Sequence, residues 1–373
     1  MNQYKQQFFI PEGIYLLNHS VGCLPQKTAS QKEHFFELWK SQGSEAWEEW
    51  LSLIDGFCQS LSTLLNGYPD EFCPQSNVSS AVCKILHSLP PQKNRFKLLL
   101  SEMDFPSIGF AFSLMQRLGY QIEFLPANNG IFSLETWKQY LTKDTQLAFI
   151  THAVYGNSFL NPVTEIIQYA QEQGIITVVD IAQSAGVVPI NLRAWNADFV
   201  VGSSIKWLCG GPGAGFLWAN SETALNFAPI DVGWFSHENP FEFDIYNFRY
   251  TNNARRFWGG TPSILPFVCA QLSMDLINSI GVDKIRFHNQ RLTEVLIQES
   301  QAKKLNIITP LEPWQRGGTV VINFNNNQKV YERFQQEKIS IDVRPGFGLR
   351  FSPHIYNDEE EIEKVIALMQ PGD

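Results

Sequence analysis

Positive charge is scarce in this chain of 373 residues: 28 Lys and Arg stand against 37 Asp and Glu, a formal net charge of −9 at pH 7. Nucleic acid needs a basic face, and this balance argues against one. No apolar run reaches the roughly 18 residues of a membrane span, and no block of like charge marks a tail. The N-terminus, MNQYKQQFFIPEG, lacks the apolar region of a signal peptide. The six cysteines are scattered without a CxxC pair. They read as reduced, packed thiols of a cytoplasmic protein, and no metal site is expected. There is no internal repeat and no low-complexity linker. Membrane and nucleic-acid partners are therefore not expected.

What is present is apolar mass, 44% hydrophobic against 17% charged. That supports a large core, with one large and one smaller domain. The densest signal is residues 175–219. The β-branched run Ile175 to Val179 reads as a buried strand and ends on an acid, Asp180. A second run, Asp198 to Val201, leads into Ser203, Ser204 and Lys206, and a Gly-rich turn then feeds a third strand, Phe216 to Ala219. An acid and a lysine thus follow neighbouring strands at their C-terminal ends, the edge where open α/β sheets bind ligands. That pairing suits pyridoxal phosphate, which takes a lysine for its Schiff base and an acid against its pyridine nitrogen. A turn-capping Asp and a surface Lys is the plainer alternative.

Strands at 96–101, 121–125 and 147–151 alternate with helical segments at 108–118, 134–141 and 163–173, which predicts a mostly parallel, doubly wound sheet. Residues 26–66 read as helical, with an aromatic stripe that includes Trp47 and Trp50. Ser79 and Ser80 open a further helix, either as plain caps or as an anion-binding turn. His19, in NHSVG, lies either in a self-bonded turn or at a site entrance. His152 and Asn157, at a strand end, could face a ligand, although such a His is more often structural. Cys209 lies near Lys206 without a paired base and reads as structural. Residues 231–262 are aromatic and aperiodic, as functional or contact loops often are. Arg350, between Leu349 and Phe351, offers a fork matched to a carboxylate, or else a structural ion pair. DEEEIEK reads as a solvated helix start.

DIAQSAG followed by SSIKWLCGGPGAGFLWA, with GGTPSIL at 259–265 and LRFSPHIYN at 349–357, resembles the class V branch of fold-type-I pyridoxal phosphate enzymes, nearest its kynureninase-like and isopenicillin-N-epimerase-like members. The resemblance runs from about Ile14 to Ile366. It implies a large cofactor domain (16–262), a small α+β C-terminal domain (263–373) with residues 1–15 beside it, and a homodimer with shared sites. It implies that Lys206 carries the cofactor, Asp180 pairs its pyridinium and Gln183 meets its ring hydroxyl. Phe105 would stack on the ring. Ser79, Ser80, Ser203 and, across the dimer, Thr261 would hold its phosphate. Arg350 would bind the carboxylate of a small amino-acid substrate, with His19, Trp234 and His237 near it. The chain departs from kynureninases at Gln183, Ile205 and Ile108, where that pattern has His, Tyr and an acid. The expected activity is therefore aminotransferase-like. A kynureninase-type hydrolase or β-lyase is the alternative, and a non-catalytic cofactor-binding protein comes third.

Overall fold

The computed structural model describes residues 1–90, 92–127, 130 and 132–372. Seven strands form its larger sheet: β1 (Phe72–Gln75), β2 (Lys97–Ser101), β3 (Gln121–Leu125), β4 (Thr145–Thr151), β5 (Ile176–Asp180), β6 (Phe199–Ser203) and β7 (Gly215–Ala219), in the order β1-β7-β6-β5-β4-β2-β3. Strands β2 to β6 pair in parallel, and only β7 is reversed, antiparallel to both β6 and β1. The sequence explains the burial. QLAFIT and ITVVD are near-continuous apolar runs, and every residue of β4 is buried. Strands covered on both faces need no polar alternation. Helices Pro106–Leu114, Leu134–Tyr140, Val163–Glu172 and Leu192–Trp195 connect successive strands.

The chain leaves β2 for β3 on one side and then returns to β4 on the other. That reversal opens a crevice at the carboxyl ends of the strands. Asp104 and Phe105 follow β2, Tyr155 follows β4, Asp180 ends β5, and Lys206 follows β6. One turn of topology gathers them all.

A second sheet holds β8 (Asn306–Ile307), β9 (Val320–Asn323), β10 (Asp342–Arg344) and β11 (Gly348–Phe351), in the antiparallel order β8-β9-β11-β10. Its core joins Leu292, Ile322, Phe334, Phe351 and Ile362 to Ile14 and Leu16, and Ile14–Tyr15 pairs in parallel with Ile339–Ser340. The helix Leu265–Ile280, expected at the start of the small domain, instead buries Phe267, Val268, Met274 and Ile277 in the larger core. The smaller core begins at Leu292. Two helices run from Leu265 onward, Leu265–Ile280 and Val282–Ala302, bent by 79° at Gly281, whose φ of +90° breaks the helix. Residues 26–66 divide likewise at Gly43, φ +57°. The acidic stretch does begin a helix: Asp358 caps Glu359–Ala367 by accepting the Glu361 N–H at 3.0 Å, and the glutamates complement the dipole. Among the described residues no single helix is long and apolar enough to cross a membrane.

Candidate active site

The crevice holds a cavity of ≈ 350 Å³ bordered by His19, Asp180, Gln183, Lys206, Arg344 and Arg350, with Phe105 and Tyr155 on its wall. A smaller recess joins it, edged by Phe105, Ala182, Asp180 and Lys206. Two segments far apart in sequence meet here because the N-terminal stretch crosses over the lysine turn. The Gly22 N–H donates to the Ile205 carbonyl at 2.8 Å, and a Cβ at Gly22 would fall 2.2 Å from the Lys206 carbonyl oxygen. Glycine is therefore needed there for close approach.

Lys206 lies in the turn between β6 and β7. Ser204 ties that turn shut: its N–H donates to the Ala214 carbonyl at 3.0 Å and its hydroxyl to the same oxygen at 2.9 Å. The Lys206 ammonium has no hydrogen-bond partner among the described residues. Burial pushes its pKa down to about 8, with Asp180 opposing and Arg350 and Arg344 adding to the fall. A lysine so placed yields its proton more readily than a surface lysine, which suits a nucleophile and proton carrier.

Asp180 is buried, and its carboxylate accepts one hydrogen bond, from the Ala182 N–H at 2.8 Å. Burial raises its pKa, while that bond and Lys206 work against the rise. Behind it lies a second buried carboxyl that the sequence reading missed. Asp104 accepts from the Thr151 hydroxyl at 2.6 Å and the Ser101 N–H at 2.7 Å. Burial, with Asp180 nearby, pushes Asp104 up to about 7. An acid beside a basic amine, desolvated, is the donor set that a protonated pyridine ring requires.

Arg350 is 2% exposed and heavily engaged. Its Nε donates to Asp342 Oδ1 at 2.8 Å, its Nη2 to Asp342 Oδ2, and its Nη1 to the Tyr155 carbonyl at 3.0 Å. His19 completes the group, with Nε2 3.0 Å from Asp342 Oδ1 and Nδ1 2.6 Å from the Ser352 hydroxyl. Burial lowers the His19 pKa to about 4, so the ring is neutral near pH 7. The carboxylate partner assigns the proton to Nε2. Burial pushes Asp342 up, but the hydrogen bonds from His19 and Arg350 outweigh it and hold it well below the usual carboxylate range. The His19 carbonyl in turn accepts from Gln183 Nε2 at 3.0 Å, which fixes the amide on the cavity wall.

The turn considered for anion binding is the start of helix Val78–His87, capped by Asn77, whose side chain accepts the Ser80 N–H at 2.9 Å. Asn77, Val78, Ser79 and Ser203 border the cavity. Free N–H groups and the helix dipole make this end the phosphate-compatible wall. A Cβ on Gly215 would sit 2.9 Å from Asn77 Cα, so glycine lets β7 approach the turn. Ser80 and Thr261 lie elsewhere, on a second hollow with Lys84 and Asp231; the helix turns the Ser80 hydroxyl toward Ser76, 3.1 Å away.

Trp234 and His237 do not border the Lys206 cavity in this chain. They line a separate hollow with Phe243 and Phe248. Trp234 packs edge-on against Trp47 at 5.8 Å, and His237 takes the Asn239 N–H at 2.9 Å while facing the Asn247 carbonyl. His152 and Asn157 also stay off the cavity. His152 is held by Ser184 at 2.9 Å and packs on Trp195, with burial lowering its pKa to about 3. Asn157 donates to the Gly130 carbonyl of another loop at 2.7 Å and accepts the Phe159 N–H of its own at 3.0 Å. Cys209 is buried, and burial raises its thiol well above its ordinary pKa, which suits a packing role. Tyr155, Asp342 and Arg344 were missed. Strand-end periodicity would have reached Tyr155, and Arg344 lies five residues before the LRFSPHIYN segment.

A parallel sheet with one reversed strand, a buried acid closing one strand and a desolvated lysine after the next define the pyridoxal phosphate-type α/β site. The comparisons agree. The family model for aminotransferase class-V matches residues 14–365, and the chain belongs to that family, whose cofactor is pyridoxal phosphate. It is similar to "Uncharacterized aminotransferase YcbU" of Bacillus subtilis, 26% identical over 98% of this chain and 96% of that one. It is also similar to a kynureninase of Deinococcus radiodurans, 27% identical over 97% and 91%. Among solved structures it superposes on C-DES with glycine covalently linked to its PLP cofactor, TM-score 0.89, 19% identity, 97% and 98% covered. The apo cysteine desulfurase of Thermococcus onnurineus gives TM-score 0.87, 20% identity, 96% and 94% covered. At those identities the structural likeness establishes the fold.

Proposed function

We propose that this chain is a cytoplasmic homodimer that transaminates a small α-amino acid. One observation carries the reading: Lys206, Asp180 and Arg350 border a single cavity in which no other lysine takes part. Pyridoxal phosphate, when bound, supplies a carbonyl that condenses with amines and a protonated ring that accepts electrons. Asp180 would hold the ring nitrogen protonated. Gln183 would face the ring hydroxyl, Phe105 would cover the ring, and Ser79 and Ser203 would bond the phosphate. Arg350 would orient the α-carboxylate with its unused N–H groups. Lys206 Nζ would then take the α-proton and return it one position away. Ile205 and Ile108 border the cavity beside it and carry no proton, which favours a shift that the lysine completes alone.

The test is a half-reaction. Holoenzyme mixed with amino acids should lose its aldehyde absorbance, yield pyridoxamine phosphate on extraction, and recover with a 2-oxo acid. Retention of the aldehyde form, with anthranilate released from kynurenine, would sink the transaminase reading. One observation favours that second reading: Tyr155 puts a phenol on the cavity wall where Ile205 offers none.

The dimer rests on Thr261, Trp234 and His237 standing off the cavity, and on the exposed apolar residues Phe243, Ile245 and Tyr246 beside them. A partner copy would cover those residues. Sedimentation should show a dimer at micromolar concentration, and Thr261→Ala should speed cofactor loss severalfold. A monomer that keeps its cofactor would refute the arrangement.

A further inference from the structure

Strand β10 carries Asp342 and Arg344 two residues apart, so both side chains leave the same face. Across the ladder Asp342 opposes Arg350, and Arg344 opposes Gly348. The two arginines are therefore in different electrical states. Arg350 and Asp342 form a closed pair, with His19 on the same carboxylate. Arg344 comes only within 3.8 Å of Asp342, beyond hydrogen-bond reach. Its guanidinium makes no hydrogen bond among the described residues, and its Nε is buried without a partner. It lies 5.6 Å from the centre of the Tyr155 ring, on the wall of the cavity that holds Lys206.

An arginine is charged at every working pH and carries five donors in a planar fork. Leaving them empty beside a closed ion pair gives the substrate end one positive charge in surplus. An α-carboxylate accounts for one arginine, and the chain supplies two. Both forks face the same Asp342 Oδ2, Arg350 within hydrogen-bond reach and Arg344 at 3.8 Å, so they lie side by side, close enough for a short molecule acidic at both ends to reach both.

We propose that Arg344 receives a carboxylate on the substrate side chain, so that the enzyme acts on dicarboxylic α-amino acids such as glutamate and aspartate. The inference rests on the amino-acid reading above and narrows it. Tyr155 presents its ring to the fork from within cation–π range. A neutral side chain of the same size would leave the guanidinium unpaired, and sites built for a charged group reject such isosteres strongly.

The experiment compares glutamate with glutamine, and aspartate with asparagine, on reconstituted holoenzyme with pyruvate as the amino acceptor, reading the 2-oxo acid formed from each donor by mass spectrometry. The wild type should favour each acid over its amide by at least about tenfold in kcat/KM. In Arg344→Gln the ratio should fall to about one, mainly through a raised KM for the acid, and Arg344→Lys should recover part of it. Melting curves check that each variant folds. A wild type that prefers the amides or neutral amino acids would overturn the inference and leave the cofactor reading standing. An Arg344→Gln protein that loses both series alike would also overturn it, because Arg344 would then hold the α-carboxylate. Failure of every amino acid to react would overturn the underlying reading as well.

Discussion

Lys206→Ala is expected to lower turnover at least about a thousandfold, because one side chain serves as both nucleophile and proton carrier. Borohydride should leave a cofactor-sized mass on the Lys206 peptide of the wild type and on no peptide of the variant. The environment adds a pH signature. Burial brings Lys206 to about 8, with Asp180 pulling the other way and Arg350 and Arg344 pushing further down. Cofactor capture by apoprotein needs the neutral amine, so its rate should climb with pH and level off above about 8. Asp180→Asn removes the opposing carboxylate and should move that midpoint lower. The stability sign follows from the same shift. The folded pKa lies below the unfolded one, so the unfolded chain binds more protons between about 8 and the ordinary lysine value of 10.5. Stability should rise with pH through that window. At pH 7 the folded protein carries a poorly solvated ammonium, so an apo Lys206→Met protein should melt no lower than wild type. Activity within tenfold of wild type, or capture indifferent to pH, would remove Lys206 from the chemistry.

Asp180 and Lys206 were legible because strand ends carry their own grammar. A β-branched run that stops on an acid, and a Gly-rich turn after a lysine, state both residue type and place in the sheet. The parallel character of the sheet was legible for the same reason, since QLAFIT and ITVVD are near-continuous apolar runs. The rest of the site depended on what meets what. Nothing in EMDFPS says that Asp104 lies behind Asp180, because the two are joined only by strand order. Nothing in NHSVG says that His19 grips Asp342, more than three hundred residues away. Ser80 was named beside Ser79, yet one helical step of about 100° separates them and sends the two hydroxyls to different hollows. Helix Leu265–Ile280 turns its apolar side to the larger core, and periodicity alone cannot tell which core a helix face meets. Trp234, His237 and Thr261 lie off the cavity of their own chain, so only a partner copy could give them the roles that the motifs suggest.

Arg350→Ala is expected to weaken catalysis by on the order of 2–5 kcal/mol in transition-state binding, a factor of roughly 30 to several thousand. The substitution does two things at once. It removes the fork meant for the α-carboxylate, and it leaves Asp342 with His19 as its hydrogen-bond partner and Arg344 at 3.8 Å. A polar group left short of its partner costs about 1–3 kcal/mol, so the variant should also melt earlier. Its loss of activity alone therefore decides nothing. Asp342→Asn in the same chain separates the two effects. With the carboxylate gone, no stranded negative charge remains, and the double variant should recover most of the melting temperature while staying as inactive as Arg350→Ala. The pH dependence gives an independent reading. The wild-type Asp342 is held well below the ordinary carboxylate range by His19 and Arg350 against the push of burial. Its folded pKa is depressed, so the stability it contributes is present above the unfolded value and lost as pH falls toward the folded one. Acid unfolding should accordingly begin at higher pH in Arg350→Ala than in wild type. If the double variant regained activity along with stability, Arg350 would be a structural brace for the β10–β11 ladder, and the carboxylate would have to be bound by Arg344 alone.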